Sequence, residues 1–267
     1  MSKSAKPAKP PSYIAAHIRR VIKDGGSAPH AAEVQWFFKE EVQSRGWYTD
    51  ELRKLATRFR RALLNEHGLD YLVKVADELF TGDILEEKAM AVFLLQKSAG
   101  SGLPLSRPQD QCRFTNKEFK LFEHWLGRVS SWADHDALVQ YLIGPMIADD
   151  PRRVSVVFRW AKSKNRWHRR AAAVALLRGN KQLKFFDEIR RITAMLLEDE
   201  DDMVQKGLGW LLREAAKYQR EKTVPFLIDI RDRAPRLVLR TSCETLPAEV
   251  RAEILGRTQQ SRFVTRH

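Results

Sequence analysis

Apolar residues recur every three to four positions along most of this chain, which predicts helices almost from end to end. The stretch from Val204 to Glu214 shows the pattern most sharply. At about 100° per residue, Val204, Leu208, Leu211, Leu212 and Ala215 fall on one side of a helix, and Lys206, Trp210, Arg213 and Lys217 on the other. The same periodicity predicts helices over 13–23, 31–44, 50–65, 69–80, 84–97, 115–127, 132–147, 152–163, 166–178, 183–197, 202–218, 221–232 and 247–255. Start signals sit at Thr49 with Glu51 behind it, at Thr115 ahead of Glu118, and at Ser131 three residues before Asp134. No alternating run is long enough to predict a sheet. Medium-length helices joined by short turns predict an all-α fold, a superhelical stack of antiparallel helix pairs. No repeat signature recurs, so a compact multi-helix bundle stays open beside it. One domain over 13–255 is expected, between a Lys/Pro/Ser tail at 1–12 and a basic tail at 256–267, with a Gly/Ser/Pro-rich loop at 98–111.

Charge changes this picture more than composition does. Forty-seven Lys and Arg against 34 Asp and Glu leave a net charge of +13, which points to an anionic partner: nucleic acid, an acidic membrane surface or an acidic protein. The distribution is sharper than the total. Residues 151–186 carry Arg152, Arg153, Arg159, Lys162, Lys164, Arg166, Arg169, Arg170, Arg178, Lys181 and Lys184 with no Asp or Glu among them. A solvated helix surface mixes signs, so this run is read as facing an anionic ligand. Trp160 and Trp167 lie within it and are read as packing between helices. The acids Glu198 to Asp202 precede the helix of Trp210 and are read as dipole compensation on a solvated loop. The stripe of Lys206, Trp210 and Arg213 suits a nucleic acid, because cations meet phosphates and an indole meets a base or sugar. A second packing face is the plainer alternative. Gly207 and Gly209 flank the stripe without side chains, which would leave room for a nucleic-acid backbone if the stripe faces one.

Other chemistries find little support. The two cysteines, Cys112 and Cys243, have no CxxC spacing and no histidines cluster, so no disulfide framework, metal site or cofactor is expected. No apolar stretch approaches a membrane span and no signal-like segment opens the chain, so a cytoplasmic location is expected, at the nucleoid if the anionic partner is DNA. There is no P-loop, GxGxxG or HExxH.

One segment does offer a candidate catalytic group. In Ser130-Ser131-Trp132-Ala133-Asp134-His135-Asp136, capping accounts for Asp134. It does not account for Asp136. Leu138, Val139, Leu142 and Met146 form the apolar face, and Trp132 and Asp136, four residues apart, stack at its margin. A carboxylate beside an indole at the rim of a core is partly desolvated and suited to stabilising a positive charge on a ligand. Taken alone, the pair also fits a structural role. Asp-His-Asp is not read as a metal site, because consecutive helical residues point in different directions.

Three motifs then act together: SSWADHD around Trp132 and Asp136, NRWHRRAA around Arg170, and VQKGLGWLLRE around Trp210. In this order and at these separations, the chain resembles the AlkD-type DNA alkylation repair glycosylases over most of residues 31–235. The resemblance implies a stack of HEAT-like repeats, with Trp132 and Trp210 as DNA-facing tryptophans, Asp136 as the catalytic aspartate and Arg170 as an essential arginine. It also implies that Thr49 and Arg53 contact the DNA backbone. A family tyrosine near the lesion corresponds to Phe37, which lacks the hydroxyl, and an aromatic pair expected before VQKGLGW is replaced by Asp202 and Met203. Together with the basic run and stripe, the DNA-binding set becomes Arg170, Lys206, Arg213, Arg166, Arg169, Thr49, Arg53 and Phe37. The implied reaction is release of positively charged N3- and N7-alkylated purines from double-stranded DNA, and nothing in the sequence calls for more than a monomer. The implied lesion stays stacked, where other glycosylases flip it into a pocket. Two other readings stand beside this one: a non-catalytic HEAT-repeat protein that grips damaged or distorted DNA, and a helical scaffold for an acidic protein.

Overall fold

The computed structural model describes residues 9–96 and 114–256. The expected loop at 98–111, most of the N-terminal tail and nearly all of the C-terminal tail lie outside the described residues. The chain is all-α, and among the described residues strand pairing is limited to one bridge between Gln43 and Ile84. No helix among them is long and apolar enough to cross a membrane. The chain divides into two compact units, residues 1–143 and 144–267.

The first unit contains α1 (Pro11–Asp24), α2 (Ala28–Gln35), α3 (Thr49–His67), α4 (Leu69–Phe80), α5 (Leu85–Leu95), α6 (Asn116–Leu126), α7 (Trp132–Leu138) and a π-helical turn, Val139–Ile143. Its centre is α5, which packs against α1, α3, α4 and α7. Met90 to Leu95 are all buried there, so α5 is apolar on every side through its last two turns. The charged first turn of α5 is buried as well, and each charge has a partner. Glu86 accepts from the Ser44 hydroxyl (2.6 Å) and from the backbone N–H groups of Arg45, Gly46 and Trp47. Glu87 pairs with Arg19 at 2.9 Å, and Lys88 with Asp134 at 3.2 Å. Buried charges persist only when neutralised in this way.

The second unit contains α8 (Gly144–Asp149), a 3-10 turn (Pro151–Ser155), α9 (Val156–Trp160), α10 (Arg166–Val174), α11 (Leu177–Asn180), α12 (Phe186–Leu196), α13 (Asp202–Tyr218), α14 (Arg220–Ile230), α15 (Arg236–Ser242) and α16 (Ala248–Leu255). Here the hub is α13, which packs against α10, α11, α12, α14 and α15. The apolar side predicted for it, Val204, Leu208, Leu211, Leu212 and Ala215, is fully buried. Asp201 caps it by accepting from the N–H groups of Met203 and Val204. Trp160 and Trp167 are buried packing residues.

Four departures from the predicted elements have physical causes. The helix expected over 31–44 ends at Gln35, whose side-chain amide donates to the Glu40 carbonyl (2.8 Å) and accepts from Val42 N–H (2.9 Å), closing a loop instead. The helix expected over 132–147 is broken by the π turn. Pro145 has no N–H to donate, so a regular ladder cannot run unchanged through this stretch. Helix α3 starts at Thr49 with Tyr48 as its cap position and no side-chain cap, so Thr49 is not the cap. Helix α15 was not predicted: it is short, and its two fully or nearly buried apolar residues, Val238 and Leu239, are too few to show a period.

Candidate functional site

In the first unit the candidate chemistry is organised by the start of α7. Ser131 and Asp134 form the predicted capping box, with Ser131 N–H donating to Asp134 Oδ1 at 2.7 Å. Asp134 Oδ2 accepts from Ser130 N–H and from the Lys88 ammonium, which also donates to the Arg128 carbonyl at 2.8 Å and the Ser130 hydroxyl at 2.9 Å. Asp134 is therefore structural. Two residues on, Asp136 keeps 14% of its side chain exposed and lies 2.7 Å from Nδ1 of the fully buried His135. Adjacent helical residues ordinarily diverge, yet these two meet.

Trp132, the indole four residues before Asp136, is half-buried. Its ring stacks on Phe38 with centroids 5.0 Å apart, and its Nε1–H points at the Phe37 carbonyl at 3.4 Å. Phe37 itself is 73% exposed and Trp36 is 90% exposed. The turn after α2 therefore presents two aromatic rings to solvent and anchors a third on Trp132. Reading residues 31–44 as helix hid Trp36 and Phe38. The signal available was the run Trp36-Phe37-Phe38, three large rings in succession that no single helical face can bury together. Thr49 is exposed in the first turn of α3. Arg53 lies over the rings of Phe93 (4.2 Å) and Tyr141 (4.9 Å) and donates to Tyr141 Oη at 2.8 Å and Gln96 Oε1 at 3.2 Å. It is held in an aromatic clamp.

In the second unit, Lys206, Trp210 and Arg213 stand half-buried along one side of α13. Lys206 pairs with Asp202 at 3.1 Å and Arg213 with Glu244. Arg170 on α10 is 6% exposed, and its guanidinium donates to the Met203 carbonyl in the first turn of α13. Arg169 grips Asp199 through Nε (2.6 Å) and Nη2 (3.3 Å) and also donates to the Ser163 and Lys164 carbonyls. Arg166 lies over the Trp167 ring at 4.6 Å and 3.6 Å from Asp201. The acids at 198–202 are thus more than a solvated loop: Asp199 and Asp201 neutralise part of the basic run that has no acids of its own. Gly207 and Gly209 are closed off by neighbouring helices, against the expectation from sequence. A Cβ on Gly207 would meet Arg170 Cγ at 3.0 Å, and one on Gly209 would meet Thr241 Cβ at 2.7 Å. These glycines let α10 and α15 approach α13, so neither opens space for DNA.

The sequence pattern of the family described as DNA alkylation repair enzyme matches residues 18–246. This chain belongs to that family. A solved structure described as a predicted DNA alkylation repair enzyme from Enterococcus faecalis shares its fold, with a TM-score of 0.70 at 18% identity over 84% of this chain and 97% of that one. No curated protein matches the chain. Membership assigns a role in the repair of alkylated DNA. For an alkylation repair enzyme the two units offer different chemistry. The first supplies a partly exposed carboxylate, Asp136, on a firmly capped helix one turn from an indole. The second supplies a half-buried indole, Trp210, flanked by cations. Among the described residues no group of three or more His, Cys, Asp or Glu is placed to hold a metal ion.

Proposed function

We propose that this DNA alkylation repair enzyme is a monofunctional glycosylase that hydrolyses the bond between deoxyribose and cationic N3- or N7-alkylated purines in double-stranded DNA. The observation that carries the reading is Asp136. Capping engages Asp134, while Asp136 reaches solvent one helical turn from Trp132 in a family of alkylation repair enzymes. An alkylated purine already bears a positive charge, so it departs with the C1′–N bonding electrons as a neutral base and needs no general acid. The sugar is left with oxocarbenium character. A carboxylate held in a partly dry setting stabilises that charge and orients the water that adds to C1′, whose proton passes to solvent. The products are a free base and an abasic site. In this reading Trp132 packs on the lesion-bearing nucleotide and excludes water. Trp210, Lys206 and Arg213 offer DNA an aromatic and cationic face, Thr49, Arg53 and Phe37 approach the backbone, and Arg166 adds positive charge near it. Arg170 and Arg169 act from beneath by fixing the start of α13 and the loop before it.

The test is release of free base from duplexes containing 7-methylguanine or 3-methyladenine, run with the wild type and Asp136→Asn. The wild type is expected to release base. The variant is expected to lose at least about 100-fold in rate while holding the same DNA. Binding without release by either protein would overturn the glycosylase reading in favour of a non-catalytic binder of damaged DNA. DNA binding that is absent would point to a protein scaffold instead.

A further inference from the structure

We propose that His135 is the positioning residue for Asp136, a built-in clamp that holds the carboxylate in one orientation; this rests on the glycosylase reading above. Three observations carry it. First, His135 is completely buried, so its ring is locked by packing. Second, its Nδ1 lies 2.7 Å from Asp136 Oδ1. A carboxylate only accepts, so Nδ1 carries the proton and donates. Third, the helix beneath the pair cannot turn: the Ser131–Asp134 capping box and the Lys88–Asp134 ion pair fix the start of α7 against α5.

These three restraints determine where Asp136 can point. An aspartate on a helix surface ordinarily samples several rotamers. Here one oxygen is tied to a ring that cannot move, so the other oxygen is directed by the core. A carboxylate already in place when the sugar develops its charge needs no reorganisation at that moment, which is where such electrostatic stabilisation gains its strength. The His135 side chain touches neither sugar nor base in this scheme. It acts through Asp136, the next residue, which the capping box at Ser131 and Asp134 leaves out.

The experiment compares wild type, His135→Leu, His135→Asn, Asp136→Asn and the double variant His135→Leu with Asp136→Asn. It measures single-turnover release of 7-methylguanine and the Kd for the same duplex. His135→Leu is expected to slow release roughly 10- to 100-fold with Kd little changed. His135→Asn, whose side-chain N–H lies near the position of Nδ1, is expected to recover most of that loss. In the Asp136→Asn background His135→Leu should add no more than about two-fold, because a residue acting only through Asp136 has nothing left to act on. A wild-type rate for His135→Leu, full multiplication of the two single effects, or no rescue by Asn overturns the proposal. If His135→Leu does not fold, the rescue arm and the nitrogen-15 spectrum of the His135 ring decide. The ring signals should shift in Asp136→Asn, and an unchanged ring spectrum would sink the clamp. Absence of base release by the wild type is a different result: it refutes the glycosylase reading, and the clamp's catalytic role falls with it.

Discussion

Replacing Gly209 by alanine tests how α13 is packed. In an exposed helix interior that change is stabilising by about 1 kcal/mol, because alanine has the higher helix propensity. At this position the new methyl would lie 2.7 Å from Thr241 Cβ, 3.1 Å from Thr241 Cγ2 and 3.2 Å from the Val238 carbonyl oxygen. These atoms are the backbone of α15 and the first carbons of a β-branched side chain, so none can swing aside as the end of a lysine would. Forcing a methyl into such a contact costs about 1–3 kcal/mol. Set against the propensity gain, the net is a loss of about 1 kcal/mol, or about 4 °C in Tm for a unit of this size. Thermal unfolding by circular dichroism of Gly209→Ala reads the shift. The cost should fall when Thr241→Gly removes the opposing carbons, in a double-mutant cycle that isolates this one contact. A raised Tm for Gly209→Ala would refute the packing and return Gly209 to the role of an open surface for DNA.

Two further outcomes follow from the capped helix starts. Lys88→Met removes the ammonium that joins Asp134, Ser130 and the Arg128 carbonyl, and leaves Asp134 held by the Ser130 and Ser131 donors and the His135 backbone N–H. Breaking a buried pair from one side costs about 3 kcal/mol, and urea denaturation should show it together with faster amide exchange over residues 130–138; a loss below about 1 kcal/mol would mean the ion pair does not fix α7. Glu118→Ala, which deletes the carboxylate of the α6 capping box, should cost about 1 kcal/mol at neutral pH. Burial raises the Glu118 carboxyl, but hydrogen bonds from the Thr115 hydroxyl and backbone, with Lys117 nearby, bring it below its ordinary value. A depressed carboxyl stabilises the fold above the ordinary value of about 4.3 and ceases to do so as pH falls through the folded value. The difference between wild type and Glu118→Ala should therefore shrink toward acid, and a difference that grows below pH 4 would contradict the assignment.

Much of this protein is legible in its sequence where the controlling interaction is local. The apolar side of α13 was read from a period that operates within one turn, and every residue of it is buried. The capping boxes at Thr115 and Ser131 were read from spacings of three residues and are present. Asp136 stood out because capping accounts for its neighbour and leaves it over. The family likewise showed in three short motifs. Contacts whose partner lies far along the chain leave no such local trace. Nothing near Lys88 announces Asp134, 46 residues on, and nothing near Arg169 announces Asp199, 30 residues on. An acid-free run accordingly looked more available to DNA than it is.

Helical periodicity and capping are decided within a few residues, so most of the helices, their apolar faces and the absence of a capping role for Asp136 are legible without the fold. Packing settled which polar groups remain available and which surfaces are open. It closed Gly207 and Gly209 beneath Arg170 and Thr241, ended α2 early enough to expose Trp36 and Phe37, and buried His135 so that it meets Asp136. Each of these depends on side chains brought together by packing, and packing is a property of the folded chain that no local spacing encodes.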